Sequence, residues 1–77
     1  MSELDNNIKI LRAERHMTQQ ELARAVGVTR KTINTVENQV YVPSTVLALK
    51  IASVLGVPVE QVFELARPLV ANPLPAP

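Results

Sequence analysis

The chain has no cysteine and no tryptophan, one phenylalanine, one tyrosine and two glycines among its 77 residues. Without cysteine there is no disulfide framework and no thiolate metal site, and a cytoplasmic setting is the default expectation. With so few aromatics, a hydrophobic content of 47% has to build an aliphatic core of Leu, Ile, Val and Ala. No stretch approaches the roughly 18 consecutive apolar residues of a membrane span, and MSELDNN does not read as a secretory leader. No membrane partner is therefore expected. A strong charge of one sign is missing too: the formal net charge is +1, whereas nucleic-acid-binding domains are usually strongly basic. Any basic surface must be local, and non-specific affinity for a polyanion low. Also absent are a Ser/His/Asp set, paired carboxylates at useful spacing, a glycine-rich phosphate loop and a cluster of metal ligands. The expectation is no enzyme, no cofactor and no metal. The length suits one domain of marginal burial.

What is present is concentrated in QQELARAVGVTRKTINTVEN, Gln19 to Asn38. Thr18 is a helix N-cap, and Glu21 three residues on completes a capping box in which each side chain satisfies the other's free backbone N–H. Leu22, Ala23 and Val26 share one helical face. Gly27 follows where a helix ends in the left-handed region. Val28 returns to the core, Thr29 caps again, and Ile33 and Val36 form the buried stripe of a second helix. The small Ala23 lets the two helices cross closely, as an angled pair joined by a short turn requires. The outer face of the second helix is then free to enter a DNA major groove, about 12 Å wide.

Turning that helix 100° per residue from Ile33 puts Lys31 and Thr35 opposite the buried side. Thr32 and Asn34 flank them, and Arg30 projects from the first turn. These side chains match base edges: Arg and Lys suit guanine O6 and N7, Asn suits adenine, and a threonine methyl meets the thymine methyl. The plain alternative is a solvated polar face. It is weakened because neither Arg30 nor Lys31 has an acidic residue four positions on, where a helix ion pair would need one.

The rest reads as an all-α fold of five helices. The first runs from about Asp5 to Arg15, with Leu4, Ile8 and Leu11 inward, and His16 after it suits a left-handed cap better than a metal or catalytic role. The fourth opens at Ser44, carries Leu47, Ala48, Ile51, Ala52 and Leu55 inward, and stops at Gly56. The fifth starts at Pro58 and runs through Val59, Val62 and Phe63 to about Leu65. NQVYV is a short β-like run assigned to a loop. The domain spans 5–65. From 66 to 77 the chain holds four of the six prolines and one charge, so an extended tail is expected there. Its Leu69, Val70 and Leu74 suggest packing on the domain or on a second subunit.

TQQELARAVGVTRKTINTVEN, with LRAER before it and YVPSTVLALKIASVLGVPVEQVF after it, resembles the Xre/Cro-type helix-turn-helix regulators, the group that includes lambdoid phage repressors. The resemblance covers about Ile8 to Leu65. It implies a compact repressor-like domain that reads double-stranded DNA through a recognition helix at 30–38. It assigns base reading to Arg30, Lys31 and Thr35 with Thr32 and Asn34 in support, and backbone contacts to Gln19, Thr29 and Asn38. Gln19 would clamp a phosphate and brace a neighbouring reading residue. Arg12 and Glu37 would form a buried ion pair.

Departures from the family are local. Gln39 stands where glycine would take a left-handed backbone, Val40 where lysine often meets phosphate, and YNPS has become YVPS. Ile10, on a face that should be wet, joins Val40, Tyr41 and Val42 as apolar residues open to two readings: ordinary scatter or a protein contact. A two-fold dimer follows from the energetics of a single small module on DNA, with Val59, Val62, Phe63, Leu65, Leu69 and Val70 as contact candidates. The function expected is a sequence-specific regulator, with repression its expected mode, on a palindromic operator. The alternative is an antitoxin-type module that keeps the fold and also binds a small protein.

Overall fold

A computed structural model of the chain describes residues 3–67. Its elements run β1 (Leu4–Asn6), α1 (Ile8–Glu14), α2 (Gln19–Val26), α3 (Arg30–Glu37), α4 (Thr45–Leu55), α5 (Val59–Val62) and β2 (Phe63–Leu65). Five helices are therefore present. Their core is aliphatic apart from Phe63: Ile8, Leu22, Ala23, Val26, Ile33, Val36, Leu47, Ile51, Ala52, Leu55 and Val62 are buried with it. Leu4, Leu11, Val28, Ala48 and Val59 pack against that cluster at partial exposure. Among the described residues no helix is long and apolar enough to cross a membrane.

The caps follow the local sequence. Thr18 and Glu21 form the full capping box: the Glu21 backbone N–H donates to Thr18 Oγ1 at 3.0 Å and the Thr18 N–H to Glu21 Oε1 at 2.9 Å. The Thr18 backbone N–H, then its hydroxyl, hold the Glu21 carboxyl below its ordinary range, with Arg24 adding to the effect. The carboxylate's contribution is thus complete at neutral pH and fades as acid takes the pH down through that lowered value. Thr29 and Ser44 cap α3 and α4 with the side-chain half of this arrangement alone, each hydroxyl accepting the backbone N–H three residues on, from Thr32 and Leu47. Gly27, with φ of 79°, turns the chain from α2 toward α3 in a conformation that costs an L side chain about 1 kcal/mol or more.

Two boundaries differ from the sequence reading. The first helix begins at Ile8, not Asp5, and Leu4 reaches the core from a strand instead of from that helix. The fifth ends at Val62, and Phe63 to Leu65 are extended. The cause is an antiparallel pairing of the two segments, Leu4 opposite Leu65, Asp5 opposite Glu64 and Asn6 opposite Phe63. The ladder continues past both ends, with Asn7 N–H on the Val62 carbonyl and Ala66 N–H on the Glu3 carbonyl, each at 2.8 Å. Asn6 then turns the chain into α1 by accepting the Ile8 N–H on its side-chain oxygen at 3.2 Å. Its amide nitrogen donates to the Val36 carbonyl at 3.0 Å, an oxygen at the end of α3 that also accepts the Gln39 N–H at 3.1 Å.

His16 and Gln39 have positive φ, 52° and 63°, as expected of positions where glycine is commoner. Gln39 offsets its strain with side-chain bonds to the Leu4 carbonyl and to Asp5 Oδ1, tying the loop after α3 to β1. Gln39→Gly should therefore be about 1 kcal/mol more stable than Gln39→Ala, because both lose these bonds and only alanine keeps the left-handed penalty. Urea unfolding of the two variants checks this, and equal midpoints would show that residue 39 carries no backbone strain.

Candidate nucleic-acid interface

The interface starts from one buried ionic contact. Glu37, in the last turn of α3, receives the Arg12 guanidinium side-on: Nε to Oε2 at 2.7 Å and Nη2 to Oε1 at 2.9 Å. The two side chains are 13% and 5% exposed, so the expected pair is present and largely out of water. Two-point geometry of this kind fixes orientation as well as distance. Arg12 Nη1 also donates to the Met17 carbonyl at 3.0 Å, which holds the α1–α2 turn. Gln19 completes the group, its amide nitrogen donating to Glu37 Oε1 at 3.1 Å. Three helices thus meet at a single carboxylate. The bond from Gln19 runs to this ion pair and not to a residue of the exposed reading face, which differs from what the resemblance implied.

On the outer side of α3, Arg30, Lys31 and Asn34 are exposed, while Thr32 and Thr35 are half-buried. Arg30 and Lys31 have no ion-pair partner among the described residues. The two threonine hydroxyls are engaged locally: Thr35 Oγ1 donates to the Thr32 carbonyl at 2.9 Å, and Thr32 Oγ1 lies 3.1 Å from Thr29 Oγ1. What such a threonine offers a groove is chiefly its methyl group. Asn38 donates to Asn34 Oδ1 at 2.7 Å, leaving the Asn34 amide N–H groups and one oxygen lone pair for an adenine edge. Thr29 and Asn38, at the two ends of α3, are exposed. The candidate reading residues, both caps and Glu37 of the ion pair therefore all belong to one short helix and its ends.

The electrostatics are local, as the small net charge requires. Arg12 cancels Glu37, and Glu14 meets Arg15 at 3.5 Å. Among the described residues, Arg30 and Lys31 have no ion-pair partner at the start of α3.

Of the six candidates for a dimer contact, Val62 and Phe63 belong to the monomer's own core, at 0% and 9% exposure, and cannot also cover a partner. Val59 is half-buried and Leu65 exposed. Leu69, Val70 and the tail from Pro68 onward lie outside the described residues. Ile10, Val40, Tyr41 and Val42 are exposed, together with Val46 and Leu49 on α4. Two features of the site carried no signal at the level of sequence: the reach of Asn6 to the end of α3, and the hollow that His16 shares with Gln19, Gln20 and Arg30.

Comparison with known proteins agrees with this arrangement. The family model described as helix-turn-helix matches residues 8–62. An uncharacterized HTH-type transcriptional regulator of Methanocaldococcus jannaschii is 43% identical over 60 residues, which covers 78% of this chain and 91% of that protein. The uncharacterized HTH-type transcriptional regulator YgzD of Bacillus subtilis is 44% identical over the same length and with the same coverage. Among solved structures, a protein of Bacteroides fragilis described as a candidate DNA-binding protein superposes with a TM-score of 0.72 at 30% identity, over 79% of this chain and 98% of that one.

Proposed function

This chain belongs to the Xre/Cro-type helix-turn-helix family of DNA-binding transcriptional regulators, and on that premise we propose that it represses transcription by occupying a palindromic operator as a homodimer. The observation that carries the reading is the exposed set Arg30, Lys31 and Asn34, without an ion pair among the described residues, on a helix whose opposite face is core. Arg30 and Lys31 read guanine edges, Asn34 an adenine, and the methyls of Thr32 and Thr35 meet thymine. Gln19, Thr29 and Asn38 flank them against the phosphate backbone. One domain of this size covers half a site, and a two-fold pair places two recognition helices about 34 Å apart. Val59 and Leu65 are the contact candidates that the core leaves available.

Selection of bound duplexes from a random DNA pool tests the reading. Two inverted half-sites about one helical turn apart are expected, and a reporter behind the selected site should be silenced by the protein. A pool that stays unenriched, or enrichment of a single unrepeated site, would overturn it. Gln19→Ala should weaken binding about fivefold on all sequences alike, since it removes no base contact. A loss confined to one base position would instead make Gln19 a reading residue.

The exposed run Val40–Val42 favours a second reading, an antitoxin-type module that also binds a small protein. A toxin gene beside this one, with a product that co-purifies at equal stoichiometry, would support it.

A further inference from the structure

The end of α3 carries a bond between two exposed amides. Asn38 Nδ2 donates to Asn34 Oδ1 at 2.7 Å, across the four-residue spacing that makes side chains neighbours on a helix. We infer that Asn38 is a positioning residue for base recognition: by holding the Asn34 amide one way round, it decides which base edge Asn34 can read. The inference rests on the DNA-binding reading above and deepens it, since the base contact itself stays with Asn34.

A side-chain amide has two ends with opposite demands. Its oxygen accepts, its nitrogen donates, and a half-turn about the last side-chain bond exchanges them. An adenine edge offers the N6 amino donor beside the N7 acceptor, so it pairs at two points only when the oxygen meets N6 and the nitrogen meets N7. With the amide exchanged, oxygen faces N7 and nitrogen faces the amino group, and both contacts turn repulsive. Specificity at Asn34 therefore depends on which way its amide lies. Its place on an exposed helix face does not fix that, and among the described residues its side chain has no hydrogen-bond partner other than Asn38.

Asn38 is itself held. Its backbone N–H donates to the Asn34 carbonyl at 3.0 Å, and the Gln39 N–H beside it donates to the Val36 carbonyl at 3.1 Å. The Gln39 side chain ties the same turn to β1 through Leu4 and Asp5. The proposed phosphate contact of Asn38 sets the same direction. A phosphate diester accepts and does not donate, so Asn38 must turn its NH2 group toward it, and the second N–H of that group is left for Asn34. The two roles use different protons of one nitrogen. In water the exposed bond competes with solvent, but in a groove that has shed its water an amide turned the wrong way leaves both base atoms unpaired.

Asn38→Asp tests the direction. A carboxylate has nearly the same shape but only accepts, so Asn34 must turn its nitrogen to residue 38 and put its oxygen where the nitrogen was. Selection with Asn34→Ala first marks the base pair that Asn34 reads. Dissociation constants are then measured by fluorescence anisotropy on the duplex selected by the wild-type protein and on the duplexes changed at that pair. Wild type should prefer adenine there by about tenfold, and Asn38→Asp should bring the ratio to about one or below, with preference at the other pairs intact. The added charge also repels phosphate, but that loss falls on every duplex alike and drops out of the ratio. Asn38→Ala, which adds no charge and only frees the amide to turn, should keep adenine with the ratio cut about threefold. Melting temperatures verify that each variant is folded.

An adenine ratio left unchanged by Asn38→Asp and Asn38→Ala, with a uniform loss of affinity, overturns the inference and makes Asn38 a phosphate contact alone. An Asn34→Ala selection that relaxes no base pair overturns it as well, and leaves the DNA reading to Arg30 and Lys31. In the Asn34→Ala background Asn38→Asp should no longer change any ratio. A change that persists there would make residue 38 a base reader in its own right and overturn its action through Asn34. Failure of the wild-type chain to bind any duplex removes the inference and the DNA reading together.

Discussion

Glu37→Ala should melt at least ~12 °C below the wild-type chain, the consequence of leaving Arg12 largely buried without its counter-ion. Breaking one partner of a buried pair costs about 3–5 kcal/mol, and a domain of this size loses roughly 4–8 °C for each kcal/mol. The 13% exposure of Arg12 gives the orphaned guanidinium some access to water, which favours the lower end of that range. Gln19 loses its acceptor in the same stroke, so α1, α2 and α3 come apart at one place. Glu37→Gln should fall between the two, keeping an acceptor for Gln19 while surrendering the charge. Thermal unfolding followed by circular dichroism decides the matter. A Glu37→Ala protein that melts like wild type would show that the pair is hydrated in solution.

Arg30→Ala should do the opposite, leaving the melting temperature where it is and weakening binding to the selected duplex by about 1–3 kcal/mol. The side chain makes no hydrogen bond or ion pair to another described residue, so its removal opens no cavity and strands no partner. Surface changes of that kind stay within about 0.5 kcal/mol in stability. The loss should also be selective. If Arg30 spans a guanine edge, the variant forfeits preference at one base pair in each half-site, and a second selection with Arg30→Ala reads this out directly. A uniform loss at every position, with preference intact, would move Arg30 from base reading to phosphate contact.

The local devices were the legible part of this chain. The capping box, the N-caps Thr29 and Ser44, a glycine turn and the stripes of α2, α3 and α4 act over three to eight residues, and they placed a helix end or a buried face where the structure has it. Long-range devices were not legible. Leu4, Ile8 and Leu11 fit a helical period, but Leu4 reaches the same core from a strand, and the period cannot tell the two apart. The strands themselves are LDN and FEL, three residues each and rich in poor β-formers, and they exist because the ends of the domain meet. That meeting also sends Val62 and Phe63 into the core, which removes them from the surface where a partner would find them. At the candidate site, the pairing of Arg12 with Glu37 was open to resemblance alone, since 25 residues separate them. The attachment of Gln19 to that pair, and the company His16 keeps, depend on how helices cross and leave no trace in spacing.

The bond from Ala66 to Glu3 makes the folded domain a loop closed by hydrogen bonds, with its first and last described segments lying side by side. The order in which the helices follow one another along the chain then matters less than the circle they complete. Joining the two neighbouring ends with a short flexible linker, and opening the circle instead at an exposed bend such as the one around Gly56, would keep every contact of the core. Cargo attached before Glu3 or beyond Ala66 would likewise leave from one pole, beside the end of α3 that Asn6 holds and at the opposite end of that helix from Arg30.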